Sequence, residues 1–157
     1  MASLINISKD PDCAFYIDPA RVLKITKETA DGMIGLYDEN GVFALLYADI
    51  APGIEIIAQQ INDAGFPIIS MPVPSGGQSI YYLSPSAVTF AGIKSANQQN
   101  GMQPINVVVK GQGLCYSEAE PDKIKNFLDT VLAARNGALM EDKLDQAIPD
   151  WTLAEGY

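Results

Sequence analysis

The sequence predicts an α+β fold built from two related β-rich modules in tandem, each with a bent strand, a hairpin and a closing helix. A stretch of aromatic and β-branched residues around a proline occurs at Phe15–Ile25 and returns sixty-six residues later at Tyr81–Ala91. In both places two strand-like runs and an amphipathic helical pattern follow. The predicted boundaries are a first module at 1–65, a linker at 66–78, a second module at 79–137 and a C-terminal helix and aromatic tail at 138–157.

The bent strand turns at Pro19 in the first copy. Because proline donates no backbone hydrogen bond and has a fixed φ, it favours a strand edge or a bulge over the middle of a sheet. The second copy keeps the proline as Pro85 but has Ser84 where the first copy has Asp18. The shared feature is therefore the bend, and Asp18 is interpreted as part of a folding corner and not as a catalytic group.

A turn that contains glycine joins two predicted strands in each copy. In the first copy this turn is Asp38–Gly41, whose Asn-Gly pair accepts the positive φ values of a tight hairpin. In the second copy it is 110–113, and the extra residues of that copy fall in the polar segment 94–103, where a loop tolerates insertion. The predicted hairpin strands are Met33–Tyr37, Val42–Tyr47, Ile105–Val109 and Leu114–Tyr116.

Each module ends in a predicted amphipathic helix that begins at a proline, Pro52 in the first module and Pro121 in the second. Gly65 supplies the end of the first helix. A helix of about three turns is marginal in water alone, so its apolar face must pack on the preceding sheet. The apolar positions at helical spacing are Ile54, Ile57, Ala58 and Ile61 in the first helix, and Ile124, Phe127, Leu128, Val131 and Leu132 in the second.

The linker at 66–78 is rich in proline and glycine, which interrupt regular structure. It is nevertheless too apolar for a free tether, because it contains Ile68, Ile69, Met71 and Val73. We expect it to lie extended along the protein surface and to add an edge strand. Ile69, Met71 and Val73 are candidates for a protein interface.

The C-terminal tail contains the single tryptophan of the chain. A short helix is predicted at 138–148, and Trp151, Leu153 and Tyr157 follow it as further interface candidates. Two readings of these aromatic residues stay open. Either Trp151 covers the core of its own chain, or the tail is an arm that docks on a neighbouring subunit.

One known family has a similar arrangement of motifs. The segment from Tyr16 to Asn62 contains Ile-Asp-Pro-Ala-Arg-Val-Leu-Lys-Ile, then Ile-Gly-Leu-Tyr-Asp-Glu-Asn-Gly, then a helix near Ile56-Ile-Ala-Gln-Gln-Ile. It resembles the small FlbD-like flagellar proteins, although Asp18 stands in place of their usual asparagine and the unit occurs here twice. The resemblance implies a strand-hairpin-helix module that is used for association and not for chemistry.

The residue types of the chain offer little support for catalysis. Histidine, the commonest general base and metal ligand, is missing from the sequence. Most of the carboxylates occupy predicted turns, without the spacing of an EF-hand or a paired acid site, and the glycine-rich stretches lack nucleotide-binding spacing. We therefore expect no catalytic residue, no cofactor and no metal. The weighed carboxylates are Asp10, Asp12, Asp18, Asp31, Asp38 and Asp49.

The net charge of −9 opposes binding to a nucleic-acid backbone. No apolar run approaches the roughly 20 residues needed to span a bilayer, and the start of the chain has neither a basic segment nor a long apolar stretch. No membrane or nucleic-acid partner is expected, and the expected localisation is a virion or the cytoplasm. Cys13 and Cys115 lie in strand-like sequence and are predicted to be buried free thiols.

The two halves differ in charge. Residues 13–65 carry three basic and eight acidic side chains, a net charge of −5, whereas 66–136 carry five basic and four acidic ones, a net charge of +1. This contrast favours head-to-tail contact between copies, in a ring or lattice of identical subunits. The alternative is a monomer whose two modules face each other.

The function expected from these features is that of a non-enzymatic structural protein in a large assembly. The most concrete expectation is a virion component, either a capsid cement or decoration protein or a head-tail connector, that contacts its own copies and the capsid or tail subunits. The alternative is a module that binds a small ligand or inhibits another protein, with its site between the two copies or beside the glycine-rich loops.

Overall fold

A computed structural model describes residues 4–28, 32–47, 49–72, 79–110 and 114–134. Within these residues the chain forms strands and two helices, which confirms the predicted α+β class. The chain divides into two compact units. The first unit is Met1–Ser70 with Gln78–Ser84, and the second is Met71–Gly77 with Pro85–Tyr157.

The first unit contains an antiparallel sheet of five strands in the order β5-β4-β3-β7-β6. Strand β5 therefore forms one edge, and the two-residue strand β6 forms the other. A separate antiparallel pair, β1 with β2, belongs to the same unit. The strands are β1 Ile5–Asn6, β2 Tyr16–Ile17, β3 Lys24–Glu28, β4 Ile34–Asp38, β5 Gly41–Leu46, β6 Ile69–Ser70 and β7 Ser79–Leu83.

Helix α1, Ile54–Asp63, covers one face of this sheet. Its four predicted apolar positions are all buried, as the helical spacing indicated. The helix begins two residues later than predicted, because the extended backbone of Gly53 makes it the N-cap and leaves Pro52 outside. Gly65 follows the helix with φ +95°, a conformation that favours glycine and confirms the predicted end. The core of the unit joins Ile25, Ile34 and Leu36 of the sheet to Ile54, Ile57 and Ile61 of the helix.

The predicted corner at Pro19 is a 3-10 turn that spans Pro19–Arg21. The Asp18 carboxylate accepts a hydrogen bond from the backbone N–H of Ala20 over 3.0 Å and so caps this turn. The strand predicted at Arg21–Lys27 begins only at Lys24, because the turn takes up Arg21 and the two residues after it connect to β3. Asp18 thus supports the backbone at the corner, as interpreted from the sequence.

The predicted hairpin of β4 and β5 turns at Gly41, whose φ is +116°. The register shifts between Leu36 and Tyr37, so Leu36 lies opposite Ala44 and Tyr37 lies opposite Val42. Phe43 is the extra residue of this β-bulge. The bulge increases the local twist at the edge of the sheet.

The second unit contains a three-stranded antiparallel sheet in the order β10-β9-β8, with helix α2 packed against it. Helix α2 begins at Pro121, as predicted, and its five predicted apolar positions are buried. Ile105, Val107 and Val109 of the central strand are fully buried. The elements are β8 Val88–Ile93, β9 Gln103–Val109, β10 Leu114–Ala119 and α2 Pro121–Ala134.

Strand β7 differs from its sequence assignment. The sequence predicts that the second module opens with a strand at 79–84, but Ser79–Leu83 pairs with β3 along five residue positions and belongs to the first unit. Ile80 and Tyr82 pack against the core of that unit. The physical reason is that β3 would otherwise be a sheet edge with unpaired backbone groups, and an apolar strand nearby satisfies them.

The predicted edge strand in the linker is present as β6, Ile69–Ser70, which pairs with β7. Its surroundings are less exposed than expected, because Ile68 and Met71 on either side of it are buried. Residues 73–78 of the linker lie outside the described residues.

The same order of elements occurs twice along the chain. A strand, a 3-10 turn that begins at a proline, three strands and a helix run from β2 to α1 and again from β7 to α2. This order is the one that the repeated sequence pattern predicts. The origin of the two modules in a duplicated unit stays a prediction.

The side chain of Asn106 in the second unit is buried without hydrogen bonds to the described residues. Asn106, in the central strand β9, is fully buried, and neither its amide nitrogen nor its amide oxygen has a hydrogen-bond partner within the part of the chain that the structure describes. Strand alternation puts it on the face opposite to Ile105 and Val107. Gly92 and Tyr116 are its cross-strand neighbours.

Neither cysteine forms a disulfide among the described residues, as predicted; Cys115 is buried, whereas Cys13 is only partly buried. Among the described helices, neither is long and apolar enough to cross a bilayer.

Candidate functional site

The strongest surface feature of the first unit is its edge strand β5. Val42 and Leu45 lie opposite Tyr37 and Gly35 of β4, which places them on the same face despite the bulge. Val42 is 49% exposed, Leu45 58%, and Tyr47, just after the strand, 61%. An uncharged edge strand that carries a row of exposed apolar side chains is typical of a surface that pairs with another chain.

Natural edge strands are usually protected by charges, prolines or bulges. Strand β5 has the bulge at Phe43 but contains neither a charged residue nor a proline. The charges stand instead at its two ends, where Glu39 precedes the strand and Asp49 follows it, both exposed. The edge is therefore apolar in the middle and acidic at both ends.

A second feature of the first unit is a pocket of about 330 Å³ beside the corner at Pro19. An ion pair between Arg21 and Asp38 forms part of its wall. The guanidinium carbon of Arg21 also lies 4.6 Å from the centre of the Phe43 ring. The pair thus links the 3-10 turn to the β4-β5 hairpin. The full lining is Ala20, Arg21, Leu23, Asp38, Glu39 and Asn40.

The two oxygens of Asp38 have different donors. The guanidinium of Arg21 donates to Oδ2, and the backbone N–H of Asn40 donates to Oδ1 over 2.8 Å. The hydrogen bond from Arg21 is the main reason that the pKa of Asp38 lies below its ordinary value, and the bond from Asn40 adds to the effect. Such a carboxylate stays ionised and is a poor proton donor or base near neutral pH. Its chemistry is that of a structural anchor.

We expect Asp38 to make the stability of the first unit depend on pH. Because folding lowers its pKa, its contribution is complete above the unfolded pKa of about 3.9 and is lost as the pH falls through the lower pKa of the folded state. The variant Asp38→Asn removes this titration. The difference in urea midpoint between the wild type and the variant should therefore be largest at neutral pH and shrink in acid. An unchanged difference from neutral pH down to the acid limit would contradict this assignment.

The other weighed carboxylates do not converge on a site. Within the described ranges no group of three potential metal-binding side chains occurs. Asp10 accepts a hydrogen bond from the backbone N–H of Asp12 over 2.9 Å, which is the turn role expected for it. Asp31 lies outside the described residues, as do the glycine-rich loops at 74–78 and 111–113.

The structure describes two of the six interface candidates chosen from the sequence. Ile69 is half-buried in the edge strand β6, and Met71 is fully buried, which removes its side chain from any surface and corrects that candidate. The reason is that the segment next to β6 packs inward instead of lying along the surface. Val73, Trp151, Leu153 and Tyr157 lie outside the described residues, so the two readings of the tail both stay open.

The exposed residues Val42, Leu45 and Tyr47 were recognised from the sequence only as strand residues. A run without charge from Gly41 to Tyr47 was the available signal. It could not be used, because a buried central strand has the same composition as an unprotected edge strand. The sheet order distinguishes the two.

Comparison with known proteins gives no match, since no protein-family model, curated protein or solved structure has significant similarity to the chain. The resemblance to FlbD-like modules therefore stays a prediction. The surface of β5 and the pocket at Arg21 are the features from which a function can be argued.

Proposed function

We propose that this chain is a non-enzymatic structural protein that works through protein-protein contacts with its own copies and with the other subunits of a large assembly. The observation that carries the proposal is the edge strand β5, with the exposed side chains of Val42, Leu45 and Tyr47 and no charge between Gly41 and Leu46. A strand of this kind offers both backbone hydrogen-bonding groups and apolar area to a partner.

The most specific form of the proposal is a virion component, as a capsid decoration protein or a head-tail connector. Repeated contact between identical subunits suits the different net charges of the two halves, −5 for 13–65 and +1 for 66–136. Peptides of this chain should then appear in stoichiometric amounts in particles purified from the cells that express it. If purified particles do not contain the chain, the virion role is wrong, whereas the assembly role is unaffected.

The assembly role is tested by native mass spectrometry and light scattering at micromolar concentration. The wild type is expected to form oligomers, and Leu45→Lys to shift the population towards the monomer, because it puts a charge in the middle of the apolar edge. A matched control is Ile56→Lys, since Ile56 is also an exposed aliphatic residue, 50% accessible, but lies on helix α1. A wild type that stays monomeric would contradict the proposal.

Removal of Pro149–Tyr157 tests the tail separately from the edge strand. If the tail docks on a neighbouring subunit, the shortened chain loses assembly but keeps the circular dichroism spectrum and the unfolding midpoint of the wild type. If Trp151 covers its own core, the unfolding midpoint falls instead.

A second candidate function is favoured by the pocket beside Arg21. Its volume of about 330 Å³ is at the lower end for small-ligand sites, and it has a cation at one side and the backbone of the β4-β5 turn at the other. A small carboxylate or phosphate compound would suit Arg21 only if it displaced Asp38. A thermal-shift screen of anionic metabolites, repeated with Arg21→Gln, decides this candidate, since a real ligand raises the midpoint of the wild type alone.

A further inference from the structure

We propose that strand β5 of one copy pairs edge to edge, in antiparallel orientation, with strand β8 of a second copy of this chain. This inference rests on the proposed assembly function and names the two surfaces that meet. The pairing would join the five-stranded sheet of one molecule to the three-stranded sheet of the next. Its support comes from sheet position, strand length, side-chain chemistry and charge.

The two strands match in position and in length. Strand β5 is the outer strand of the first sheet and β8 is an outer strand of the second. Gly41–Leu46 and Val88–Ile93 each contain six residues, and neither contains a charge or a proline. Each strand has one β-bulge, at Phe43 in β5 and at Thr89 in β8, so the hydrogen-bonded ladder between the two edges is interrupted at the bulges and continues on both sides of them, without placing like charges opposite each other.

The charges at the strand ends are complementary. Exposed acidic residues flank β5, with Glu39 before it and Asp49 after it. Exposed basic residues flank β8, because Lys94 follows the strand directly and the backbone N–H of Lys110 bonds to the carbonyl oxygen of Ala87 just before it. An antiparallel pairing brings Glu39 near Lys94 and Asp49 near Lys110. Charge pairs at the rim of this kind steer association and fix the register more than they add affinity.

The other available edges fit β5 less well. Pairing of β5 with another β5 would bring the acidic ends of two copies together, which costs free energy. Strand β10 contains Glu118 and is followed by Glu120, so its pairing with β5 would also bring acidic residues of two copies together. Strand β6 has only two residues. Among the described edges, β8 is the one that combines adequate length with positive ends.

A contact between two different surfaces has a consequence for the assembly. Each molecule offers β5 to one neighbour and β8 to another, so the subunits join head to tail. Such contacts close into a ring when the rotation between neighbours permits it, and otherwise continue as a filament.

Disulfide trapping between two single-cysteine variants tests the pairing directly. In a centred antiparallel register Leu45 lies opposite Thr89, and both side chains are exposed. The native thiols are first removed by Cys13→Ser and Cys115→Ala. Chains with Leu45→Cys are then mixed with chains with Thr89→Cys under mild oxidation, and the expected product is the mixed dimer, because only directly opposed residues reach disulfide geometry. Ile56→Cys mixed with Thr89→Cys is the control and should give about tenfold less mixed dimer if the pairing is specific.

Charge reversal gives a second test that leaves the strands themselves intact. The double variant Lys94→Glu with Lys110→Glu should weaken association about tenfold or more in analytical ultracentrifugation at low salt. The variant Glu39→Lys with Asp49→Lys should do the same. Mixing the two variants restores complementary ends, so the mixture should associate better than either variant alone.

The outcomes separate this inference from the proposed function. If the wild type is oligomeric but the mixed disulfide does not exceed the control, or the dimer forms mainly between two Leu45→Cys chains, the β5-β8 pairing is wrong and the assembly role stands. A doubly substituted chain that cross-links within a monomer also overturns the pairing. If the wild type is a monomer at every concentration, both proposals fall.

Discussion

Replacement of Ile57 by alanine is expected to lower the free energy of unfolding of the first unit by about 2–5 kcal/mol. Ile57 is fully buried and lies on the face of α1 that packs against the five-stranded sheet. The variant loses the transfer free energy of the removed methyl and methylene groups and leaves a cavity that rigid strands fill poorly. A loss of this size is a large part of the stability of an ordinary domain.

The neighbouring residue provides the control for this experiment. Ile56 has the same chemistry but is 50% exposed, so Ile56→Ala should change the free energy of unfolding by only about 0.5 kcal/mol. Amide hydrogen exchange, followed by mass spectrometry during urea titration, reports the two units separately and does not require that they unfold together. Equal losses in the two variants would contradict the packing of α1 described above.

Replacement of Asn106 by leucine is expected to stabilise the second unit by about 1–3 kcal/mol. Leucine has the same branched shape at Cγ as asparagine but needs no hydrogen bonds, whereas the buried amide of Asn106 lacks partners for both of its polar atoms among the described residues. A gain in stability from a core substitution is unusual, which makes the result informative. Urea unfolding followed by hydrogen exchange in β9 measures it.

The isosteric variant Asn106→Asp is the matched control for this prediction. It puts an ionisable group in the same buried place, so the second unit should become less stable as the pH rises and the carboxyl group is forced to ionise. If Asn106→Leu is instead clearly less stable than the wild type, the amide has a partner in solution, such as a buried water, and the strand is not under the penalty inferred here.

The sequence predicted local structure well where one residue type decides the backbone. Gly41 and Gly65 adopt the positive φ values expected at a hairpin and at a helix end. All the apolar positions predicted for α1 and α2 are buried, because a period of 3.6 residues identifies the helix face that packs on a sheet. Pro19 and Pro85 both begin 3-10 turns, so the corner was correctly inferred from its repetition.

The partners of the strands could not be predicted from local pattern. Ser79–Leu83 reads as the first strand of the second module, yet it pairs with β3 of the first. Strand pairing depends on which neighbouring strand has backbone N–H and C=O groups without hydrogen bonds. The side-chain pattern of a strand contains no information about its neighbours. For the same reason the exposed edge of β5 and the burial of Met71 could not be predicted from the sequence. The different net charges of the two halves follow from the sequence. That acidic residues flank the edge strand β5 and basic residues flank the edge strand β8 follows only from the sheet order.

The position of β7 also determines when the protein can fold during synthesis. Strand β3 lies between β4 and β7, so its second edge stays unpaired until Leu83 has left the ribosome. More than half of the chain must therefore be made before the first sheet can close. Translation delivers about 5–20 residues each second, so the unpaired backbone edge of β3 is exposed for a second or more in the nascent chain. A chaperone that binds unpaired strand edges should act on this protein before residue 84 emerges and lose its site afterwards.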